Sequence, residues 1–158
     1  MDIQKTMQEI DNYFLNASES IAVAESVTSG SLQLNFSQME NASRFYYGGI
    51  TTYNLKQKIR LLKIDPEEGK RTNCVSKHLT ETMALNVQQL FQSDWAMAIT
   101  GYATPVKESG FTLYAYYAIC HKKVLLLSDK IDGVAGDDAK AVQDFYSGHL
   151  LKELLKLL

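Results

Sequence analysis

The chain alternates between segments whose apolar residues recur at helical spacing and short apolar runs. Helical spacing places apolar side chains on one face and predicts an amphipathic helix. The segments with this spacing are residues 2–16, 32–39, 55–62, 76–90 and 137–158. Ser76 is a suitable N-cap for the fourth segment. Pro66 and Gly69, between the third and fourth segments, predict a loop.

Short apolar runs between these segments predict the strands. Residues 20–24 and 95–100 are continuous apolar runs, which suit buried strands. Residues 46–53 are rich in aromatic and β-branched residues, and their two glycines indicate a bulge or a close backbone approach. Residues 111–119 and 123–128 flank a short polar turn and predict a hairpin.

Strands that alternate with helices, followed by one hairpin, predict a three-layer α/β/α sandwich around a mixed, mainly parallel sheet. In such sheets the binding crevice lies beyond the carboxyl ends of the strands. Polar segments follow three predicted strands, at residues 26–31, at residues 53–58 and from residue 100 onward. We therefore expect these three segments to converge on one site.

The length and charge of the chain restrict its class. A chain of 158 residues fits one domain, so residues 1–158 are predicted to form a single, stand-alone domain. The net charge of -2 argues against nucleic acid as a partner, because nucleic-acid-binding surfaces carry a basic excess. No apolar run approaches the ~20 residues that span a bilayer, so no membrane association is expected. The amino terminus lacks the features of a signal peptide, which predicts a cytoplasmic protein.

The cysteines and histidines indicate neither a disulfide nor a metal site. Cys74 and Cys120 lack CxxC spacing and adjoin apolar residues, which predicts buried free thiols. His78, His121 and His149 are scattered and do not pair with ligand residues at metal-site spacing, so no metal site is expected.

Two polar residues of the predicted site are candidates for chemistry. Ser26 lies between a strand and a helix, where the free N–H groups of the helix can stabilise an oxyanion. The alternative is that Ser26 or Thr28 only caps the helix. Lys58 lies one turn into a short helix, and a lysine in a partly dry pocket can act as a base toward a serine. The alternative is a solvated surface lysine.

Four segments, in order, resemble the CinA C-terminal domain family. Residues 24–30 (AESVTSG) resemble the family's AES-x-T-G-G signature. Residues 48–58 resemble its GG-hydrophobic-x-x-Tyr segment with a downstream lysine. Residues 74–76 (CVS) match its A-V-S helix start, and residues 94–101 match its D-x-x-x-x-x-T-G strand end. The order and spacing agree over residues 19–120.

The resemblance implies hydrolysis of the carboxamide of nicotinamide mononucleotide to nicotinate mononucleotide and ammonia, without a metal or organic cofactor. It also implies that Ser26 is the nucleophile and Lys58 its base, with Tyr53 beside them. The small-molecule nucleotide is the implied partner, and a homo-oligomer is compatible with the sequence. The residues implied to bind the substrate are Thr28, Gly30, Ser43, Gly48, Gly49, Thr100 and Gly101.

Departures from the family pattern leave alternatives open. Ser29 replaces a second glycine, and residues 40–43 (ENAS) replace a P-G-S-S turn. Residues 102–110 replace a longer loop rich in glycine and proline, and the last helix has no matching arginine pair. These departures favour an impaired relative that binds a nucleotide or a protein partner, or an amidase for another small amide. The short loop predicts an open site and weak mononucleotide binding. If binding is instead tight, Lys107 and Lys140 are the substitute phosphate contacts to test.

Overall fold

The computed structural model describes residues 2–158, in which helices and strands alternate along the chain. The helices are α1 Ile3–Ala17, α2 Ser31–Ser37, α3 Ala42–Phe45, α4 Leu55–Leu62, α5 Pro66–Arg71, α6 Lys77–Phe91 and α7 Ala139–Leu157, with a 3-10 turn at Lys107–Ser109. The strands are β1 Ile21–Glu25, β2 Tyr46–Thr51, β3 Trp95–Gly101, β4 Tyr114–His121 and β5 Val124–Asp132. Each helix and strand that the hydrophobic pattern predicts is therefore present, with shifted ends.

The strands form one mixed sheet. Within residues 2–158 the strand order is β2-β1-β3-β4-β5. Strand β1 runs parallel to β2 and to β3, whereas β4 is antiparallel to both β3 and β5. Parallel pairing is confined to β1, β2 and β3, the three strands that precede the predicted site. The sheet is therefore mixed as expected, but with two parallel and two antiparallel pairings it is not mainly parallel.

The two faces of the sheet carry side chains of different size. On one face the large side chains of Trp95, Met97 and Ile99 join a core that includes residues of α1, α2 and α7. On the other face Ala96 and Ala98 meet residues of α4 and α6. Helices on both faces confirm the three-layer α/β/α sandwich, and the short alanine side chains let α6 lie close to the sheet.

Two short helices differ from the sequence-based expectation. The predicted loop at Pro66 and Gly69 is α5, because Asp65 caps it by accepting hydrogen bonds from two backbone N–H groups of its first turn. Pro66 occupies the start of this helix, where its missing N–H costs nothing. Helix α3, at Ala42–Phe45, was not predicted, since four residues are too few to show a helical spacing.

The hairpin lies later in the chain than predicted, with β4 beginning at Tyr114 and β5 ending at Asp132. Its turn residues Lys122 and Lys123 both have positive φ, 47° and 68°, as a tight hairpin turn requires.

No helix within residues 2–158 combines the length and the apolar character needed to cross a membrane.

Candidate active site

A cavity of about 540 Å³ lies at the carboxyl ends of the parallel strands. The segments that follow β1, β2 and β3 all contribute to its walls, together with the loop after α5 and the start of α7. Its lining includes Ser26, Val27, Tyr53, Lys58, Asn73, Cys74, Thr100, Gly101, Tyr102 and Gln143. The three polar segments therefore converge, as the strand order leads one to expect.

Ser26 and Lys58 are in direct contact in this cavity. Lys58 Nζ lies 2.9 Å from Ser26 Oγ and donates a second hydrogen bond to the Thr52 carbonyl oxygen at 2.6 Å. Lys58 is only 1% exposed, so the alternative of a solvated surface lysine is wrong. Burial lowers the pKa of Lys58, because the charged ammonium loses its water.

The half-buried thiol of Cys74 is the next group that affects this lysine. A thiolate at Cys74 would raise the pKa of Lys58 and so oppose the effect of burial. Burial, however, also raises the pKa of the Cys74 thiol, and Lys58 only partly offsets that rise. Cys74 therefore remains a neutral thiol, and the desolvation of Lys58 prevails.

The sheet holds the backbone of Ser26 on both sides. The Ser26 N–H donates to the Ile99 carbonyl of β3 at 3.1 Å. The Thr52 N–H donates to the carbonyl of Glu25, the residue before Ser26, at 2.9 Å. Because both neighbouring strands extend their pairing to this point, the serine has a fixed position on rigid elements.

The N-terminus of α2 is occupied by Glu25. The buried Glu25 carboxylate accepts hydrogen bonds from the N–H groups of Gly30, Leu32 and Gln33, at 3.1, 3.0 and 2.7 Å. The expectation that the free N–H groups of this helix stabilise an oxyanion is therefore wrong. The capping alternative is wrong as well, because Gly30 is the N-cap residue and neither Ser26 nor Thr28 caps the helix.

Two other backbone donors near Ser26 remain without a partner. Within residues 2–158, the N–H groups of Val27 and Thr28 make no hydrogen bond. The buried Thr28 hydroxyl oxygen is also unpaired in this part of the chain. These are polar groups beside Ser26 whose hydrogen-bonding capacity the described residues do not use.

A family model described as CinA C-terminal domain matches residues 3–120. The chain belongs to this family. A CinA-like protein of Synechocystis sp. is 40% identical over 87 residues, which are 55% of this chain and 21% of that protein. A CinA-like protein of Thermosynechococcus vestitus is 32% identical over 124 residues, 76% of this chain and 30% of that protein. The chain thus spans less than a third of these curated relatives.

Solved CinA structures share the fold over nearly the whole chain. The competence or damage-inducible protein of Enterobacter asburiae superposes with a TM-score of 0.92 at 23% identity, covering 99% of this chain and 98% of that one. The competence/damage inducible protein CihA of Agrobacterium tumefaciens gives a TM-score of 0.88 at 20% identity, covering 99% and 96%. At these identities the likeness establishes the fold.

Among the site residues implied by the CinA signature, Thr100, Gly101 and Tyr53 line the cavity with Ser26 and Lys58. The Thr100 hydroxyl donates to the Cys74 carbonyl at 2.8 Å and so ties the loop after α5 to β3. A Cβ at Gly101 would lie 2.4 Å from the Tyr114 carbonyl oxygen, so this glycine permits the pairing with β4. Tyr53 stands at the rim, 71% exposed.

Other residues implied by the CinA signature lie outside the cavity. Ser43 is exposed in α3, which precedes β2 and thus lies at the opposite end of that strand from Thr52. Gly48 and Gly49 lie inside β2, where a Cβ on Gly49 would come within 2.6 Å of Val23. Their role in the structure is close packing, and none of these described residues touches the cavity.

Thr28 and Gly30 lie in the turn and helix start behind Ser26. Gly30 adopts φ 104°, a conformation that favours glycine, and its N–H binds Glu25. Thr28 is 2% exposed. Neither residue lines the described cavity.

Three further cavity residues of the CinA domain were not predicted from the sequence. Asn73 donates from Nδ2 to the hydroxyl of Tyr102 at 3.1 Å. Gln143 donates from Nε2 to the Val27 carbonyl oxygen at 2.9 Å, across 116 residues of chain. Asn73 has φ 51°, which is unusual outside glycine, yet no sequence pattern marks it. Contacts between residues so far apart in the chain leave no local signal.

The charged groups of the cavity are few. Lys70 and Glu108 line it together with Lys58, and among residues 2–158 no arginine does so. Lys107 and Lys140, which the sequence suggested as phosphate contacts, are also outside this lining, and Lys140 pairs with Asp144 on the exposed side of α7. Within the same described residues, no group of three or more His, Cys, Asp and Glu side chains is placed to hold a metal ion.

Proposed function

We propose that this CinA domain is an amidohydrolase that uses Ser26 as nucleophile and Lys58 as base. The observation that carries the proposal is the 2.9 Å contact between Lys58 Nζ and Ser26 Oγ inside a cavity at the strand ends. A nucleophile within hydrogen-bond reach of its base is the diagnostic arrangement of covalent catalysis. The lowered pKa of Lys58 supports the neutral amine that a base requires.

Ser26 and Lys58 carry out acyl transfer in two stages, acylation of the serine and then hydrolysis of the acyl-serine. The Lys58 amine takes the Ser26 proton while Ser26 Oγ attacks the amide carbon, and a tetrahedral oxyanion forms. The Lys58 ammonium then protonates the leaving nitrogen, the C–N bond breaks, and ammonia departs from an acyl-serine. In the second half Lys58 activates water, which attacks the acyl carbon and releases the carboxylic acid, and the proton returns to Ser26.

Two features of the site suit this sequence of proton transfers. The Thr52 carbonyl accepts a hydrogen bond from Lys58 Nζ at 2.6 Å and so orients the amine toward Ser26. The unpaired N–H group of Val27, which lines the cavity, is the donor nearest in sequence to the nucleophile, and backbone N–H groups in a dry site stabilise an oxyanion strongly. It replaces the α2 N-terminus in this role, since Glu25 occupies that terminus.

The family resemblance supports the carboxamide of nicotinamide mononucleotide as the substrate. A different small amide is the second candidate, and the charges of the cavity favour it. Besides the catalytic Lys58, Lys70 is the cation that lines the cavity. The carboxylate of Glu108 lines it too and would repel the phosphate of a mononucleotide. We therefore expect the mononucleotide to bind weakly, with a Kd above about 1 µM.

Ammonia release tests the proposal. The purified protein is incubated with nicotinamide mononucleotide, nicotinamide riboside and nicotinamide, and ammonia is measured for the wild type and for Ser26→Ala. We expect release that disappears in Ser26→Ala and persists in Ser37→Ala, a control at an exposed serine of α2. Full activity in Ser26→Ala would remove Ser26 from the mechanism, and activity on the riboside alone would favour the second candidate.

A further inference from the structure

Gln143 of α7 contacts the segment that carries the nucleophile, yet the two acyl-transfer steps do not use it. Its Nε2 donates to the carbonyl oxygen of Val27 at 2.9 Å. Val27 directly follows Ser26, and both residues line the cavity together with Gln143. The contact therefore joins the last helix to the catalytic turn.

The segment from Ser26 to Ser29 is a β-turn. The Ser29 N–H closes it by donating to the Ser26 carbonyl oxygen at 3.1 Å. Thr28, the third residue of the turn, does not have a positive φ, which fits type I and excludes type II. The two types differ by a flip of the central peptide unit, here Val27–Thr28, and this is the unit that Gln143 holds.

Holding a carbonyl oxygen also fixes the next N–H. A peptide unit is planar and trans, so its C=O and N–H point in opposite directions. The bond from Gln143 to the Val27 oxygen thus orients the Thr28 N–H, and the bond from Ser29 to the Ser26 oxygen orients the Val27 N–H. Both N–H groups lack a partner within residues 2–158, and of the two residues Val27 is the one that lines the cavity.

We infer that Gln143 is a positioning residue, which locks the Ser26–Ser29 turn and so keeps Ser26 and the Val27 N–H group in the orientation that attack and the oxyanion require. The inference rests on the proposed function, since it assigns these groups to the same reaction. An oxyanion exists only along the reaction path. Loss of the Gln143 bond therefore lowers kcat and leaves KM nearly unchanged.

Two variants test the positioning role. Gln143→Met keeps the length of the side chain and removes the donor, and we expect kcat to fall about tenfold to a hundredfold with KM within about twofold. Gln143→Glu places a carboxylate against the Val27 oxygen, and only its protonated form can donate. Its kcat relative to wild type should therefore rise as the pH falls. Gln89→Met, at an exposed glutamine of α6, is the control and should match wild type.

The kinetic outcomes separate positioning from substrate binding. A raised KM with unchanged kcat in Gln143→Met would make Gln143 a substrate contact and overturn the inference. Wild-type kinetics in both variants would overturn it as well. Thermal melting of each variant establishes that the fold is retained before the rates are compared.

A spectroscopic measurement keeps the inference separate from the proposed function. If the wild type releases no ammonia from any amide, the proposed function fails, and the backbone amide spectrum still reports on the turn. We expect the Thr28 amide resonance of Gln143→Met to shift or broaden because the central peptide is no longer held. An unchanged Thr28 resonance would show that Gln143 does not fix the turn.

Discussion

The polar groups at the two ends of the parallel strands differ in how completely they are hydrogen-bonded. At the amino end, the Ser20 N–H and hydroxyl both bind Asp94, at 2.9 and 3.0 Å. Nearby, Glu19 accepts hydrogen bonds from Trp95 and Lys122 at 2.6 and 2.7 Å and contacts His121. At the carboxyl end, the buried Lys58 has no carboxylate partner among the described residues, and the N–H groups of Val27 and Thr28 stay unpaired.

Under the proposed function, this difference distinguishes a stabilising end from a reactive end of the same sheet. Burial by itself would raise the pKa of Glu19, but hydrogen bonds from Lys122, Trp95 and His121 lower it to about 2. No carboxylate among the described residues compensates for the burial of Lys58, and burial lowers the pKa of Lys58 against the opposing effect of Cys74. Full pairing stabilises the fold, whereas incomplete pairing leaves groups free to react.

The largest expected effect follows from removing either member of the reactive pair. Ser26→Ala and Lys58→Ala should each lower turnover by at least about a thousandfold, because nucleophile and base act as a unit. The double variant should be barely slower than either single variant. Ammonia release measures all three. Lys56→Ala, on the exposed side of the same helix, should keep wild-type activity. Additive losses in the double variant would contradict the pairing.

The pH dependence of turnover tests the state of Lys58. The neutral amine is the active form, so kcat should rise about tenfold per pH unit below the Lys58 pKa and level off above it. Because burial lowers that pKa from 10.5, the plateau should begin below pH 10.5. Rates are measured across the pH range in which the protein stays folded. A plateau that begins at 10.5 or above would mean that Lys58 is not desolvated during turnover.

Removing a hydrogen-bonded charge at the stabilising end should lower the stability of the fold and leave turnover unchanged. Glu19→Gln removes the charge that Lys122 and His121 contact, and we expect a loss of about 1–2 kcal/mol in the free energy of unfolding with unchanged turnover. The folded pKa of Glu19 lies below its unfolded value of 4.5. Its contribution is therefore complete above pH 4.5 and is lost as the pH falls toward about 2.

Denaturant unfolding at several pH values measures this contribution. The difference between wild type and Glu19→Gln should shrink below pH 4.5. Glu9→Gln is the matched control, because the Glu9–Lys5 pair on α1 is exposed and long at 3.9 Å. An equal loss in both variants would remove the distinction between the two ends.

The smallest effect is expected at the rim of the cavity. Tyr53→Phe removes one hydroxyl from a side chain that is 71% exposed, and turnover should fall by no more than about threefold. Steady-state kinetics with the active amide measure the change. A loss approaching that of Lys58→Ala would assign the Tyr53 hydroxyl a direct part in the proton transfers.

The strands and the main helices could be predicted from the sequence because their signals are local, whereas the Ser26–Lys58 pair followed from the family resemblance. A buried strand appears as an apolar run, and the sheet topology brings the residues after each parallel strand to one edge. The glycines of β2 carried an ambiguous signal. A close backbone approach was expected there, and the short distance from Gly49 to Val23 accounts for it without a role in substrate binding.

Other features depended on contacts that no local pattern records. Helix α3 is too short for a spacing, so the exposed position of Ser43 could not be foreseen. The Glu25 carboxylate replaced the expected anion at α2 because its side chain turns toward the helix that follows. The contact of Gln143 with Val27 crosses 116 residues of chain, and only the packing of α7 creates it.

The alanine face of the sheet has a consequence for the width of the cavity. Helix α6 rests on Ala96 and Ala98, and the residues just before it, Cys74 and Val75, form part of the cavity wall. The size of the alanine methyl groups therefore sets the distance between that wall and Ser26. A valine at either alanine would push α6 outward and strain the Thr100–Cys74 hydrogen bond. The size of the side chains at positions 96 and 98 thus sets the width of a cavity that those residues do not line.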